Sequence, residues 1–149
     1  MEWVRKLYGT NVGLDTAPLI YFIERHPRYL PLVYPFFEAV EHGEIQVVTS
    51  TLTLTEVLVH PIKHENQALA DEYLNLLLNS RNLTALPVSV EIAYEAARIR
   101  AAFRLKTPDS IQLATARVGN ATAFLRNDDR LASVPGLELV VLDALPTSP

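Results

Sequence analysis

Apolar positions along the chain switch repeatedly between a period of two and a period of 3.6 residues. A short strand is predicted at 12–15 (VGLD), followed by a helix from about Ala17 to Glu24. The segment HPRYLP breaks that pattern. Val33, Phe36, Phe37 and Val40 then return at helical spacing, with Gly43 as the stop. IQVVT at 45–49 is β-branched and reads as a strand. Ser50 or Thr51 caps the next helix, which is expected to end near Pro61. Leu69, Tyr73, Leu76 and Leu77 mark an amphipathic helix, and a brief strand follows from Leu83 to Pro87. Ser89 caps a long helix with Ile92, Ala96, Ile99 and Phe103 on one face. Thr107-Pro108 starts another, with a capping hydroxyl and proline at the first helical position, running to Gly119-Asn120. Ala121 to Leu125 and Leu137 to Leu142 close the series as strands. Strands alternating with helices, their runs apolar on both faces, predict one three-layer α/β domain over 1–149 with a mainly parallel central sheet. No linker or repeat interrupts it.

Four carboxylates stand out against this apolar pattern. Asp15 ends NVGLD, Glu56 interrupts LTLTEVLV, Asp109 opens DSIQLATA and Asp128 follows TAFLRN. An acid in apolar surroundings is costly unless a cation compensates it. In open parallel sheets ligands bind beyond the carboxyl ends of the strands, and Asp15 and Asp128 both lie at such ends. Asp109 falls in the first turn of its helix, where negative charge is favoured. Asp15 and Asp128 also suit turns, and Asp109 suits a helix start, without any ligand. Glu56 has no such local reason. Four acids with neither Cys nor a convergent His suit a hard divalent ion, Mg²⁺ or Mn²⁺. Such an ion binds phosphate oxygens and stabilises the charge developed in phosphodiester cleavage.

Composition narrows the classes. The 149 residues are 49% hydrophobic, enough for a proper core, and contain no cysteine, which removes disulfides and thiolate metal sites. The opening residues lack the apolar core of a signal peptide and no run is long enough to span a membrane, so cytoplasm is the expected compartment. The net charge is −4; outside the four acids, thirteen carboxylates balance thirteen Lys and Arg, and two divalent ions would cancel the remainder. Arg98, Arg100, Arg104, Lys106, Arg117, Arg126 and Arg130 crowd one quarter of the chain. That rim, with Arg100, Arg104 and Arg126 foremost and Arg100 and Arg104 one helical turn apart, is the candidate grip for phosphates.

Other signals carry less. His60 and His64 have ligand spacing, but Pro61 between them is expected to spoil a common helical face. Tyr21, Phe22, Phe36 and Phe37 read as core or partner surface before base-stacking platform. A covalent-aspartate phosphatase wants Asp-x-Asp after its first strand, and here stands Asp15-Thr16-Ala17. Only five glycines, none clustered, exclude a Gly-rich phosphate loop.

Taken in order, GLDTAPLIYFIE, TSTLTLTEVLVHP, LKTPDSIQLATA and FLRNDDRLASVPGLELVVLD resemble the four motifs of the PIN-domain family, and within it the VapC-type toxin ribonucleases. The resemblance covers about residues 12–143. It implies a Rossmann-like α/β/α fold and a Mg²⁺- or Mn²⁺-dependent endoribonuclease leaving 5′ phosphate and 3′ hydroxyl ends. It also implies a homodimer held inactive by a small VapB-like antitoxin. By position, Asp15, Glu56, Asp109 and Asp128 become the catalytic, metal-binding carboxylates, and Thr16 and Asn127 supporting polar groups. The fourth motif departs in one place: the family commonly has Thr where this chain has Arg126. Asp129, next to Asp128, is a second acid at that motif. An RNA-processing nuclease outside any toxin pair, or a PIN-like protein that binds RNA or a partner without cleaving, are the alternative readings.

Overall fold

The computed structural model describes residues 1–127 and 134–146. Its centre is a sheet of five strands in the order β3-β2-β1-β4-β5, every neighbouring pair parallel. The strands are β1 (Asn11–Leu14), β2 (Gln46–Ser50), β3 (Leu83–Leu86), β4 (Ala123–Arg126) and β5 (Glu138–Val141). Five helices, α1 (Glu2–Arg5), α2 (Thr16–Ile23), α3 (Leu30–Glu41), α4 (Thr51–Lys63) and α5 (Gln67–Asn79), precede β3. The helices α6 (Val90–Phe103) and α7 (Thr107–Val118) lie between β3 and β4. A short 3₁₀ turn at Leu142–Ala144 follows β5.

Strand alternation divides the core in two. Val12, Leu14, Val47, Leu83, Ala123 and Leu125 pack with the helices of the first half, around Phe36, Tyr73 and Leu77. Val48 and Phe124 point the other way, onto Ile92, Ile99, Leu113 and Ala116 of α6 and α7. The three-layer α/β/α reading therefore holds, and the sheet is wholly rather than mainly parallel. Among the described residues no helix is long and apolar enough to cross a membrane.

One element was not anticipated and two local expectations are corrected. Trp3, Val4 and Leu7 belong to an unforeseen first turn: α1 tucks Val4 into the core and stacks Trp3 on Phe36, 6.1 Å between centroids. α4 does not stop at Pro61. The proline ring is buried, and the helix continues to Lys63, which brings His60 and His64 onto one face with ring centroids 4.3 Å apart. Burial of the ring offsets the missing N–H in this last turn. At α7 the capping position is Lys106, without a side-chain cap; the Thr107 hydroxyl instead accepts from Arg100. Phe36 and Phe37 are core, as expected.

One contact sets how close α7 lies to the sheet. A Cβ on Gly13 would stand 2.5 Å from Ala116 Cβ and 2.8 Å from Phe124 Cδ1. The absent side chain lets α7 rest on β1 backbone, with Ala116 as the small residue facing it. Gly13→Ala is expected to push α7 outward and cost about 1–3 kcal/mol, the usual range for overpacking. A denaturant titration that left the midpoint unchanged would contradict the contact.

Candidate active site

The chain order along the sheet makes the site. β1 is followed outward by β2 and β3 on one side, then the chain returns to β4 on the other, so the order reverses between β1 and β4. At such a reversal the connections diverge and leave a crevice at the carboxyl ends of the strands. Asp15 leaves β1 there. Its backbone N–H still bonds to Leu125 of β4 at 3.0 Å, and its side chain caps α2, Oδ1 accepting from Thr16 N at 2.9 Å. The turn role and the site role thus coexist in one residue. The side chain is 21% exposed. Burial raises its pKa above the ordinary carboxylate value, against the Thr16 N–H and Arg126, which favour the charged form; the carboxylates of Asp109 and Glu56 raise it further.

Glu56 reaches the same crevice from α4, a helix begun by Ser50, whose hydroxyl accepts from Leu52 N at 3.0 Å. Against expectation Glu56 is exposed rather than embedded. The Thr16 hydroxyl donates to its Oε1 at 2.8 Å, and Gln112 Nε2 from α7 lies 3.4 Å from the same oxygen. Behind them runs a chain of polar groups. The Thr49 hydroxyl donates to Leu14 O at 2.9 Å, so in the 3.1 Å contact between Thr49 and Thr53 the hydrogen comes from Thr53. Thr53 in turn accepts from Gln112 Nε2 at 2.8 Å. Thr49, Thr53 and Gln112 were not singled out by sequence. Their signal was present: threonines at i and i+4, and a glutamine inside the apolar face of IQLATA.

Asp109 enters on the first turn of α7, half-buried. Beside it, Ser110 Oγ and Gln112 Oε1 are buried with no hydrogen-bond partner. Three of the four predicted acids therefore gather at the β1 end of the sheet. Among the described residues no group of three or more His, Cys, Asp or Glu side chains is placed to hold a metal ion. Asp128 and Asp129 lie outside the described residues.

The supporting groups divide. Thr16 contacts Glu56 directly. Asn127 instead belongs to a ring of contacts: its Nδ2 donates to Tyr21 OH at 3.2 Å and its Oδ1 accepts from Asp143 N at 2.9 Å. Tyr29 OH donates to Asp143 Oδ1 at 2.8 Å, and Tyr21 stacks on Tyr29 at 4.3 Å. Asn127 thus fixes the end of β4 against α2. Of the basic residues, Arg100 is exposed and tethered to Thr107, two positions from Asp109. Arg104 is exposed but leaves the helix in a left-handed cap (φ 55°), so it does not share a helical face with Arg100. Arg126 is no rim residue: it is 1% exposed, its Nη2 4.0 Å from Asp15 Oδ2. Arg98 lies over the Tyr94 ring at 4.8 Å and Arg117 pairs with Glu95 at 3.0 Å.

Comparison with known proteins places the fold and the family. No curated protein matches the chain. Solved structures that share its fold include three complexes. A toxin-antitoxin complex from Klebsiella pneumoniae is 21% identical, with 86% of this chain and 95% of that one aligned and a TM-score of 0.63. VapBC2 from Rickettsia felis, bound to a promoter DNA fragment, gives 19%, 88%, 98% and 0.67 in the same order. DNA-bound VapBC from Salmonella typhimurium gives 17%, 89%, 98% and 0.64. The model of the PIN domain, a family of nucleases, matches residues 12–137 and so takes in Asp15, Glu56 and Asp109 together: the chain belongs to the PIN-domain family.

Proposed function

We propose that this protein is a Mg²⁺- or Mn²⁺-dependent endoribonuclease and the toxin member of a toxin-antitoxin pair. The observation that carries the reading is the meeting of Asp15, Glu56 and Asp109, from three separate elements, at the β1/β4 crevice of a PIN domain. The donor chemistry fits a hard divalent ion. All three groups offer carboxylate oxygen, Asp15 is destabilised in its charged state by burial and by its two acidic neighbours, and unsatisfied buried oxygens flank Asp109. Mg²⁺ keeps several waters and takes few protein ligands. Asp128 is assigned to the same group by its place in the fourth motif. When bound, the ion supplies stabilisation of phosphodiester charge and acidifies water.

The chain's own residues supply orientation. Thr16 and Gln112 direct Glu56 Oε1 inward, the α2 start holds Asp15, and Gly13 keeps α7 close enough for Asp109 to join them. Arg100, held at the start of α7, and exposed Arg104 are assigned to phosphates flanking the cut. A small VapB-like antitoxin is a proposed partner, supported by the complexes whose fold this chain shares, and a homodimer is proposed from the motif resemblance alone. The reading further takes the cytoplasm as the site of action, where the RNA substrate is.

Cleavage of a structured RNA in Mn²⁺ is expected to fall on the order of a hundredfold or more in Asp15→Asn and Asp109→Asn, since even outer-shell partners of metal ligands cost 10–100-fold. Equal cleavage by wild type and both variants, followed on a gel, would remove the catalytic assignment. A second expectation concerns the metal-free protein. Because the folded-state pKa of Asp15 is raised, its ionised form opposes folding at neutral pH, and that penalty disappears as pH falls through the raised value towards the unfolded one. In chelator, Asp15→Asn should therefore melt higher than wild type at pH 7, with the advantage shrinking on acidification. A melting series showing the opposite trend would contradict the burial of this acid.

A further inference from the structure

Two histidines stand together on a helix whose other polar work is done one turn earlier. Of the four in the chain, His26 is engaged: its Nδ1 accepts from Arg28 N at 3.1 Å, and its ring lies against Tyr21 and Tyr29. His42 closes α3. His60 and His64 are placed differently. Both are exposed on α4, their ring centroids 4.3 Å apart and their planes inclined at 54°. Among the described residues neither imidazole has a hydrogen-bond partner. The turn between them is intact, the His64 N–H bonding to His60 O at 3.0 Å, and buried Pro61 fastens it to the body of the domain. The rings are therefore held in contact before any ligand arrives, which lowers the ordering cost of binding one.

We propose that His60 and His64 form a two-nitrogen site for a divalent ion of the Zn²⁺, Ni²⁺ and Cu²⁺ class, different in donors and in ion from the acid crevice. Neutral imidazole is the ligand these ions favour, whereas Mg²⁺ and Mn²⁺ favour carboxylate and water oxygen. An ion about 2.0–2.1 Å from one nitrogen of each ring would set the centroids roughly 4.5–5 Å apart, so the rings stand within about an ångström of the chelating separation. Water fills the remaining positions. The ion lies at the carboxyl end of α4, where free carbonyls favour positive charge. Lys63 of the same turn is exposed, and water and salt screen its repulsion. Glu56 precedes His60 by one turn, about 6 Å along the axis, and stays outside the pair. The site thus has two protein ligands, in keeping with the absence of any group of three or more such side chains placed for an ion among the described residues. Bound metal ties His60 to His64 and stiffens the end of the helix that carries Glu56.

The experiment titrates the untagged full chain with Zn²⁺ by calorimetry in excess Mg²⁺, comparing wild type, His60→Gln, His64→Gln and Asp109→Asn. Both rings are exposed, so the histidine variants leave the fold intact. Wild type and Asp109→Asn should bind one Zn²⁺ per chain with equal affinity. Each histidine variant should bind at least about tenfold more weakly, since even outer-shell partners of metal ligands cost that much. One equivalent of Cu²⁺ should show paramagnetic coupling to two nitrogens in wild type, a pattern lost in either histidine variant. Zn²⁺ should slow exchange of the His64 amide in wild type and leave it unchanged in the variants. No Zn²⁺ bound by wild type overturns the proposal, as does wild-type affinity in both histidine variants. So does an ion that excess Mg²⁺ displaces or that Asp109→Asn abolishes, which would place it among the acids. None of these readouts involves RNA, so this site and the nuclease reading stand or fall separately.

Discussion

The distance between α7 and β1 governs everything else in this molecule. Gly13 has no side chain and Ala116 has only a methyl, so the helix rests on strand backbone instead of on a layer of side chains. That closeness gives Gln112 its reach to Thr53 and Glu56 on the far side of the sheet's edge, and holds Asp109 within electrostatic range of Asp15. A methyl's width more between the two elements would leave each acid with its own local environment and no shared one. Packing and chemistry are set by the same glycine.

Charge is the second organising fact. A carboxylate at the end of a central strand is a poor choice for stability, and its raised pKa records this. The surroundings compensate in graded fashion: a helix N–H on one oxygen of Asp15, a buried guanidinium near the other, a hydroxyl and an amide on Glu56. None of these removes the mutual repulsion of the acids. Stability is spent at the place where binding energy is to be gained, which is the general pattern of functional sites.

Much of this was legible in the residues. Short apolar runs between helical patterns located every described strand, and Asp15, Glu56 and Asp109 were visible as acids in or beside apolar segments, although a turn suits Asp15 and a helix start suits Asp109 without any ligand. The failures have physical causes. α1 is four residues long and has no side-chain cap, so it depends on Trp3 and Val4 docking against α3. Pro61 stays helical because its ring is buried, a tertiary gain that no local rule contains. Arg126 looked like a surface cation because arginine usually is one; only pairing with β1 puts it inside. Glu56 was singled out for burial and proved exposed, its isolation in an apolar run reflecting a helix whose polar face is narrow. The polar chain from Leu14 to Gln112 needed four elements in space, β1, β2, α4 and α7, and spacing along one of them does not reveal it.

The central position of β1 has a consequence for motion. Paired on both sides, this strand exposes no edge, and its amides are the last in the sheet to meet solvent when the protein opens locally. Asp15 rides on that strand, whereas Glu56 rides on a helix whose outer face is in water. One wall of the crevice is therefore as long-lived as the fold, and the other is free to breathe on much shorter times. An entering chain would find a fixed anvil and a yielding jaw.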